Sequence, residues 1–145
     1  MNMNLRSIAY TLACTSLLVL HQPGHAATQR LECPKAIPEA SIQLVDTPKG
    51  WKPYQSFPLK LNSAAPTAGP PELKADLAEF TTKRNKTART DTYDLSPPHP
   101  GGVWMKCGYG ASNEITLHKQ LDDTITQCII TQKLASPSDI EIQCK

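Results

Sequence analysis

The fold is decided by residues 103–144, which read VWMKCGYGASNEITLHKQLDDTITQCIITQKLASPSDIEIQC. Apolar and polar side chains alternate within this stretch in four short runs: residues 103–109, 114–121, 124–134 and 140–144. An alternation of period two places one face of a β-strand against a core. The linkers between the runs are two to five residues long and have turn composition, which suits hairpins. The stretch therefore predicts four strands in an antiparallel meander.

Four upstream runs also have strand character: residues 27–33, 41–45, 57–62 and 90–95. Pro58 predicts that the third of these lies at a sheet edge, because proline cannot donate to a ladder. The stretches 63–71 and 96–102 are rich in Pro and Gly, which predicts loops. Residues 72–82 fit either one or two helical turns or a loop followed by a strand. We therefore expect a mainly β protein, a small antiparallel β-sandwich or meander with two disulfides and room for one short helix.

The N-terminus has the pattern of a secretory signal peptide. Arg6 is its only charge, an uncharged and mostly apolar run follows over residues 7–20, and small residues come after a helix-breaking Pro-Gly pair. The run is too short to favour a retained membrane anchor. We expect cleavage after Ala26, which divides the chain into a signal peptide, residues 1–26, and one mature domain, residues 27–145.

The mature chain is close to neutral. The whole sequence has 15 basic and 13 acidic residues, and Arg6 leaves with the signal peptide, so the mature charge is 14 minus 13, or +1. Nucleic-acid binding needs a clustered basic face, and a polybasic membrane anchor needs one as well. We therefore expect a periplasmic protein with no nucleic-acid partner and no membrane insertion after cleavage, while full secretion stays open.

Four cysteines remain after cleavage: Cys33, Cys107, Cys128 and Cys144. An even number in a small exported domain predicts two disulfides. No Cys-x-x-Cys motif is present, which argues against a zinc knuckle and a redox pair. Of the three connectivities we favour Cys107–Cys128 with Cys33–Cys144, because bridges that close long loops constrain the unfolded chain most. In the alternative, Cys128–Cys144 would join only one hairpin.

The sequence shows no catalytic set. His99 and His118 are the only histidines outside the signal peptide, and the strand pattern places His118 on an exposed face. Neither Gly-x-Ser-x-Gly nor His-Glu-x-x-His occurs, and Asp122-Asp123 is typical of a hairpin turn. We therefore expect no enzyme activity, no metal and no cofactor.

Binding is the expected activity, through loops held by a rigid scaffold. The candidate partner-contacting residues are Lys83, Arg84, Lys86, Arg89, His99 and Trp104. The first four belong to a basic segment that we expect at a solvated hairpin tip. Trp104 is either a core residue or a contact anchor, whereas Trp51, directly after a turn, is expected to pack in the core.

One ordered set of short motifs runs along the mature chain: Cys33-Pro34, Gly50-Trp51, Gly69-Pro70-Pro71, Trp104-x-x-Cys107-x-Tyr109, Cys128 and a terminal Cys144-Lys145. This set resembles an uncharacterised family of small exported, four-cysteine proteins of Gram-negative bacteria. The resemblance covers essentially the whole mature chain. It implies periplasmic residence and four structural cysteines, and it implies no catalytic residue.

Small size, export, disulfides and the missing catalytic set favour a non-enzymatic binding or inhibitor protein whose partner is a toxin or an envelope protein. The sharpest form is an immunity protein that blocks the active site of an antibacterial toxin delivered by a rival's secretion system. The alternative is a cell-envelope accessory module that binds peptidoglycan, a glycan or a small ligand. Its stacking surface would consist of Trp51, Tyr54, Trp104 and Tyr109.

Overall fold

The structure is a computed structural model that describes residues 28–77, 79–96 and 99–145. The predicted signal peptide and its cleavage site lie outside the described residues. The described residues contain two short 3₁₀ turns, Glu39–Ser41 and Pro71–Leu73. They also contain nine strands: β1 Gln29–Leu31, β2 Ala36–Ile37, β3 Leu59–Thr67, β4 Thr81–Arg84, β5 Ala88–Asp94, β6 Trp104–Tyr109, β7 Ile115–Gln120, β8 Gln127–Lys133 and β9 Ser136–Cys144.

The strands form two antiparallel sheets. The first has the order β1-β9-β8-β5-β4 and the second the order β2-β3-β6-β7. The predicted mainly β fold is confirmed, and the sandwich rather than the meander is the architecture. The prediction that the last four strands form a single meander is wrong, because β6–β7 and β8–β9 are hairpins of different sheets. Leu121 and Ile125 between them are buried, so this linker crosses one end of the core instead of making a tight turn.

The core lies between the two sheets and follows the predicted alternation. The buried side chains of the C-terminal strands are Met105, Cys107, Tyr109, Cys128, Ile130, Ile142 and Cys144. Leu117 is the exception, with 42% of its surface exposed. It lies on β7, an edge strand of its sheet, where the facing sheet does not cover it. Position along a strand therefore sets the inward face, and position within the sheet sets how much of that face is buried.

Strand β3 corrects two predictions. It was expected to end at residue 62, at a sheet edge, with a loop over residues 63–71, but it continues to Thr67 and pairs with both β2 and β6. Pro66 is fully buried within it. Proline is tolerated there because β2 pairs only with Leu59 and Lys60, so in the described residues the outer side of β3 has no strand neighbour from Leu61 to Pro66.

The predicted strand over residues 41–45 is also wrong. Residues 38–58 form one irregular connection, named here the β2–β3 loop, whose only regular element is the turn Glu39–Ser41. Four prolines within it remove ladder donors. Trp51, expected in the core, lies on this loop with 76% of its surface exposed. Of the two alternatives for residues 72–82, the structure shows a loop with the turn Pro71–Leu73 followed by a strand.

The disulfides are Cys33–Cys107 and Cys128–Cys144, so the favoured pairing of Cys107–Cys128 and Cys33–Cys144 is wrong. Cys128 and Cys144 are direct partners on the neighbouring strands β8 and β9, with Cα atoms 4.2 Å apart. Cys107 lies in the other sheet. Cys33 lies in the link from β1 to β2, where the chain passes from the first sheet to the second, and its Cα is 5.9 Å from that of Cys107.

The β6–β7 turn is tied to β3 through one amide side chain. Asn113 has a left-handed φ of 56°, and its Oδ1 accepts hydrogen bonds from Ser63 Oγ at 2.9 Å and Asn62 Nδ2 at 3.2 Å. A Cβ on Gly108 would collide with the Asn113 side chain and lie 2.6 Å from Ser63 Oγ. Gly108 therefore leaves the space that this network occupies.

Removal of the Cys33–Cys107 disulfide is expected to lower the free energy of unfolding strongly. Cys33 and Cys107 are 74 residues apart, and the entropy of closing such a loop predicts that Cys33→Ala/Cys107→Ala lowers the free energy of unfolding by about 4 kcal/mol. Guanidinium chloride unfolding at 25 °C measures it, and non-reducing peptide mapping of the unmodified protein checks the pairing. A loss below about 1 kcal/mol would contradict the structural role of this bridge.

Gly108→Ala is expected to lower the free energy of unfolding by about 1–3 kcal/mol, the usual cost of overpacking. The cost arises mainly from the Asn113 side chain. In an Asn113→Gly background, which removes that side chain and keeps the left-handed φ accessible, the same substitution should cost less. A double-mutant cycle from chemical unfolding measures the coupling; equal costs in the two backgrounds would show that the collision plays no part.

Candidate partner-binding surface

The predicted basic hairpin is present. Strands β4 and β5 pair from Thr81 with Thr92 to Arg84 with Arg89, and Asn85 closes the turn by accepting hydrogen bonds from the backbone N–H of Thr87 and Ala88, both at 2.8 Å. This type of Asn-centred turn needs no packing against the core. Its cationic side chains therefore project into solvent.

The four basic residues of this segment are not equivalent. Arg89 Nε donates to Asp91 Oδ1 at 3.0 Å, and Thr82 Oγ1 donates to the same oxygen at 2.7 Å. Lys83, Arg84 and Lys86 are exposed and form no ion pair within the described part of the chain. We name these three residues the basic tip. Arg89 is held along its strand by Asp91, so it is less free to reach a partner.

His99 and Trp104 lie away from the basic tip, in the turn formed by residues 99–104, which we name the corner. The backbone N–H of Gly102 donates to the His99 carbonyl at 2.8 Å, and Trp104 Nε1 donates to the Gly101 carbonyl at 3.2 Å. Trp104 is half-buried, between the two outcomes expected for it. A cavity of about 580 Å³ adjoins His99, and Leu95, Val103 and Ile125 form the apolar part of its lining. The Trp104 indole N–H is thus already hydrogen-bonded within its own turn.

The predicted contact residues divide between the two ends of the sandwich. Strand β5 runs from Arg89 beside the basic tip to Asp94 beside the corner, which is five residues or about 16 Å at the usual rise of ~3.3 Å. The structure places Lys83, Arg84, Lys86 and Arg89 at one end and His99 and Trp104 at the other.

The base of the β2–β3 loop lies at the same end of the sandwich as the basic tip. Lys133 pairs with Ala88, next to the tip, and its neighbour Gln132 donates through Nε2 to the Asn62 carbonyl of β3 at 3.0 Å. Asn62 is near the start of β3, where the loop enters. The β5–β8 register places Lys133 beside the basic tip, and the Gln132–Asn62 hydrogen bond joins this end of the first sheet to the start of β3. The base of the loop and the tip therefore lie at one end.

This loop carries a set of exposed apolar residues that the sequence patterns did not single out as a group. Their exposed fractions lie between 66% and 92%: Leu44, Val45, Trp51, Tyr54 and Phe57. The available signal was a cluster of large apolar residues among prolines without strand alternation. Tyr109, the fourth member of the predicted stacking surface, is fully buried. A stacking surface of Trp51, Tyr54, Trp104 and Tyr109 is therefore wrong, although two of its members are exposed together on the loop.

The surroundings of His118 differ from those of the base in a nucleophile–base pair. His118, expected to be exposed, is half-buried, and its Nδ1 is buried without a hydrogen-bond partner. Burial, and next the Lys106 ammonium, hold the pKa of the His118 imidazole below its usual range. Its Nε2 lies 3.1 Å from Thr116 Oγ1, but the third group that would orient the ring in a nucleophile–base pair is missing there.

Two further properties of the described residues concern metals and membranes. No three His, Cys, Asp or Glu side chains among them come together as a metal site requires. None of their helices has the length and apolar character needed to cross a bilayer.

The comparisons with known proteins assign the chain to a family. A family model described as "Type VI secretion system Tli immunity protein" matches residues 55–145, which include β3 to β9. No curated protein and no solved structure is significantly similar to the chain. The matched range is well over half of the 145 residues. The chain therefore belongs to the Type VI secretion system Tli immunity protein family, whose members neutralise antibacterial toxins.

Proposed function

We propose that this immunity protein neutralises its toxin in the periplasm, by binding and without catalysis. The observation that carries the proposal is the family match over residues 55–145, which spans seven of the nine strands in the described residues. Neutralisation of a toxin is the function that the family gives. The compartment, the mode of action and the surface used are the parts proposed here.

Two observations support the periplasm. Residues 1–26 have the charge, apolar run and small residues of a secretory signal peptide. The four cysteines outside it form two disulfides in the structure, and disulfides persist in oxidising compartments such as the periplasm. An immunity protein located there would meet an incoming toxin before the toxin reaches the cytoplasm.

Binding without catalysis is supported by the kind of groups that the surface presents. His99 Nε2 and His118 Nδ1 are buried without a hydrogen-bond partner, whereas Lys83, Arg84 and Lys86 project from a paired hairpin. Such a cationic tip attracts an acidic partner and raises the rate of encounter. We therefore place the toxin contact at the end of the sandwich that carries the basic tip. Contact through His99 and Trp104 at the opposite end stays a prediction.

Export is expected to leave a defined mass. Protein isolated from a periplasmic extract should begin at Ala27, and its intact mass should fall by four hydrogens relative to the reduced form, because two disulfides have formed. Intact-mass spectrometry with and without reductant measures both. A full-length chain with free thiols, recovered only from the cytoplasm, would contradict the proposed compartment.

Protection is expected to depend on the basic tip. A strain that lacks this gene should be killed by its parental strain in contact-dependent competition, and the unmodified protein should restore its survival. Lys83→Glu/Arg84→Glu/Lys86→Glu should lower survival by about tenfold or more, because reversed charge repels the partner and slows association.

The matched control is Lys74→Glu/Lys119→Glu/Lys145→Glu. It changes the net charge equally, with exposed residues, toward the other end of the sandwich. It should protect as well as the unmodified protein. Survival lost in the control but kept in the tip variant would move the contact to the end that carries His99 and Trp104.

A further inference from the structure

We propose that the β2–β3 loop is the apolar centre of the toxin-binding surface, and that it docks on a patch of the toxin that is apolar in the middle and acidic at its rim. The inference rests on the proposed function and names the part of the protein that recognises the toxin. It follows from the exposure, the shape, the charge and the sequence range of this loop.

Exposed apolar side chains concentrate in this loop. The described residues include nine large hydrophobic residues that are exposed, and five of them lie between Leu44 and Phe57. The other four are scattered over different elements. Single exposed hydrophobic residues are ordinary, whereas a cluster of them marks an interaction surface. Trp and Tyr are also the residue types that most often dominate binding energy at interfaces.

The loop has a defined shape. It begins with the turn Glu39–Ser41, and the backbone N–H of Trp51 donates to the Pro48 carbonyl at 3.0 Å with Gly50 at a positive φ of 86°. The chain then returns, so that residues 53–55 lie beside residues 39–44 and enclose a groove of about 550 Å³. Four prolines further restrict the backbone. A restricted loop loses less conformational entropy when a partner orders it, which favours binding.

The charge around the loop selects the chemistry of the partner. Lys49 and Lys52 flank Trp51, and neither forms an ion pair within the described ranges. The acidic residues of the loop, Glu39 and Asp46, both precede Lys49, and from Thr47 to Pro58 the two lysines are the only charged residues. The basic tip lies at the same end of the sandwich as the base of the loop, so the cations of the tip and the two loop lysines lie on one side of the molecule. A complementary surface is apolar with acidic residues around it.

Two other occupants fit these features less well. A symmetric pair of copies would bring the same face of each together, and Lys49 and Lys52 of each would then approach like charges. An anionic membrane would attract the same cations and aromatic rings, but membership of an immunity family already requires a protein partner.

The position of the loop relative to the family match points to recognition of one particular toxin. Residues 55–145 are shared with the family, whereas the segment from Leu44 to Tyr54 precedes the matched range. A surface that distinguishes one toxin from others is expected outside the shared scaffold. Residues 38–54 of the loop are outside the matched range, whereas Phe57 is inside it. The β2–β3 pairing and the nearby Cys33–Cys107 bridge attach the base of the loop to the shared strands.

The test uses the full chain, expressed from its own promoter in the deletion strain, in competition with the parental strain. The loop variant is Trp51→Ala/Tyr54→Ala/Phe57→Ala. Loss of three interface aromatics should weaken toxin affinity by about 100-fold or more, so survival should fall to nearly that of the deletion strain. The matched control, Leu73→Ala/Leu117→Ala, removes exposed apolar side chains elsewhere and should protect fully.

The outcomes separate this inference from the proposed function. If the unmodified protein does not protect, the proposed function fails. If it protects and the loop variant protects equally, the function stands and the loop is not the toxin-binding centre. Equal loss of protection in the control variant also overturns the assignment.

A second variant and three measurements guard against misfolding and other occupants. Lys49→Glu/Lys52→Glu keeps every apolar side chain and should reduce survival about tenfold through charge alone. Periplasmic amount and thermal unfolding of the variants should match those of the unmodified protein. Sedimentation should show a monomer, and pelleting with phosphatidylglycerol vesicles should show no binding. A dimer that the loop variant dissociates, or vesicle binding that it abolishes, would assign the loop to self-association or to the membrane and overturn the proposal.

Discussion

The bridge between Cys33 and Cys107 holds the chain where it passes from the first sheet to the second, and the position of the β2–β3 loop depends on it. Strand β1 has three residues and β2 has two. So few ladder hydrogen bonds hold a segment weakly, since each contributes only about 1 kcal/mol. The covalent bond fixes this segment against β6. The base of the β2–β3 loop therefore stays at one place although the loop itself makes little contact with the core.

In this arrangement, different parts of the protein provide stability and the proposed contact. The two sheets and their buried core supply stability, while the exposed loop and hairpin at one end are the surfaces that we propose contact the toxin. An inhibitor needs affinity rather than chemistry, and affinity improves when the contacting groups are ordered before binding. The Asn85-centred turn of the basic tip and the folded-back shape of the β2–β3 loop both provide such order. The family match and the ordered, exposed groups at this end both favour an inhibitor that acts by binding.

The patterns that predicted correctly were the local ones. Alternation over β6, β8 and β9 gave the inward faces, because a pleated strand turns every second side chain the same way whatever its partners. The prediction of an exposed basic tip was correct, because turn-forming residues and charges act within a few positions of the chain. Predictions failed where a distant partner decided the outcome. Pro66 was taken as part of a loop, yet β6 pairs with it from 39 residues further along the chain, and Trp51 was taken as core although no strand covers it.

The amino-acid sequence by itself determined the β class, the number of disulfides and the basic hairpin tip, because each follows from composition or from short spacings. Only the tertiary structure decided which cysteines pair, that the last four strands divide between two sheets, and that the β2–β3 loop and the basic tip share one end while His99 and Trp104 lie at the other. These depend on register between strands far apart in sequence, for which periodicity holds no information. The same alternation fits several pairings, and packing of the complete core selects one.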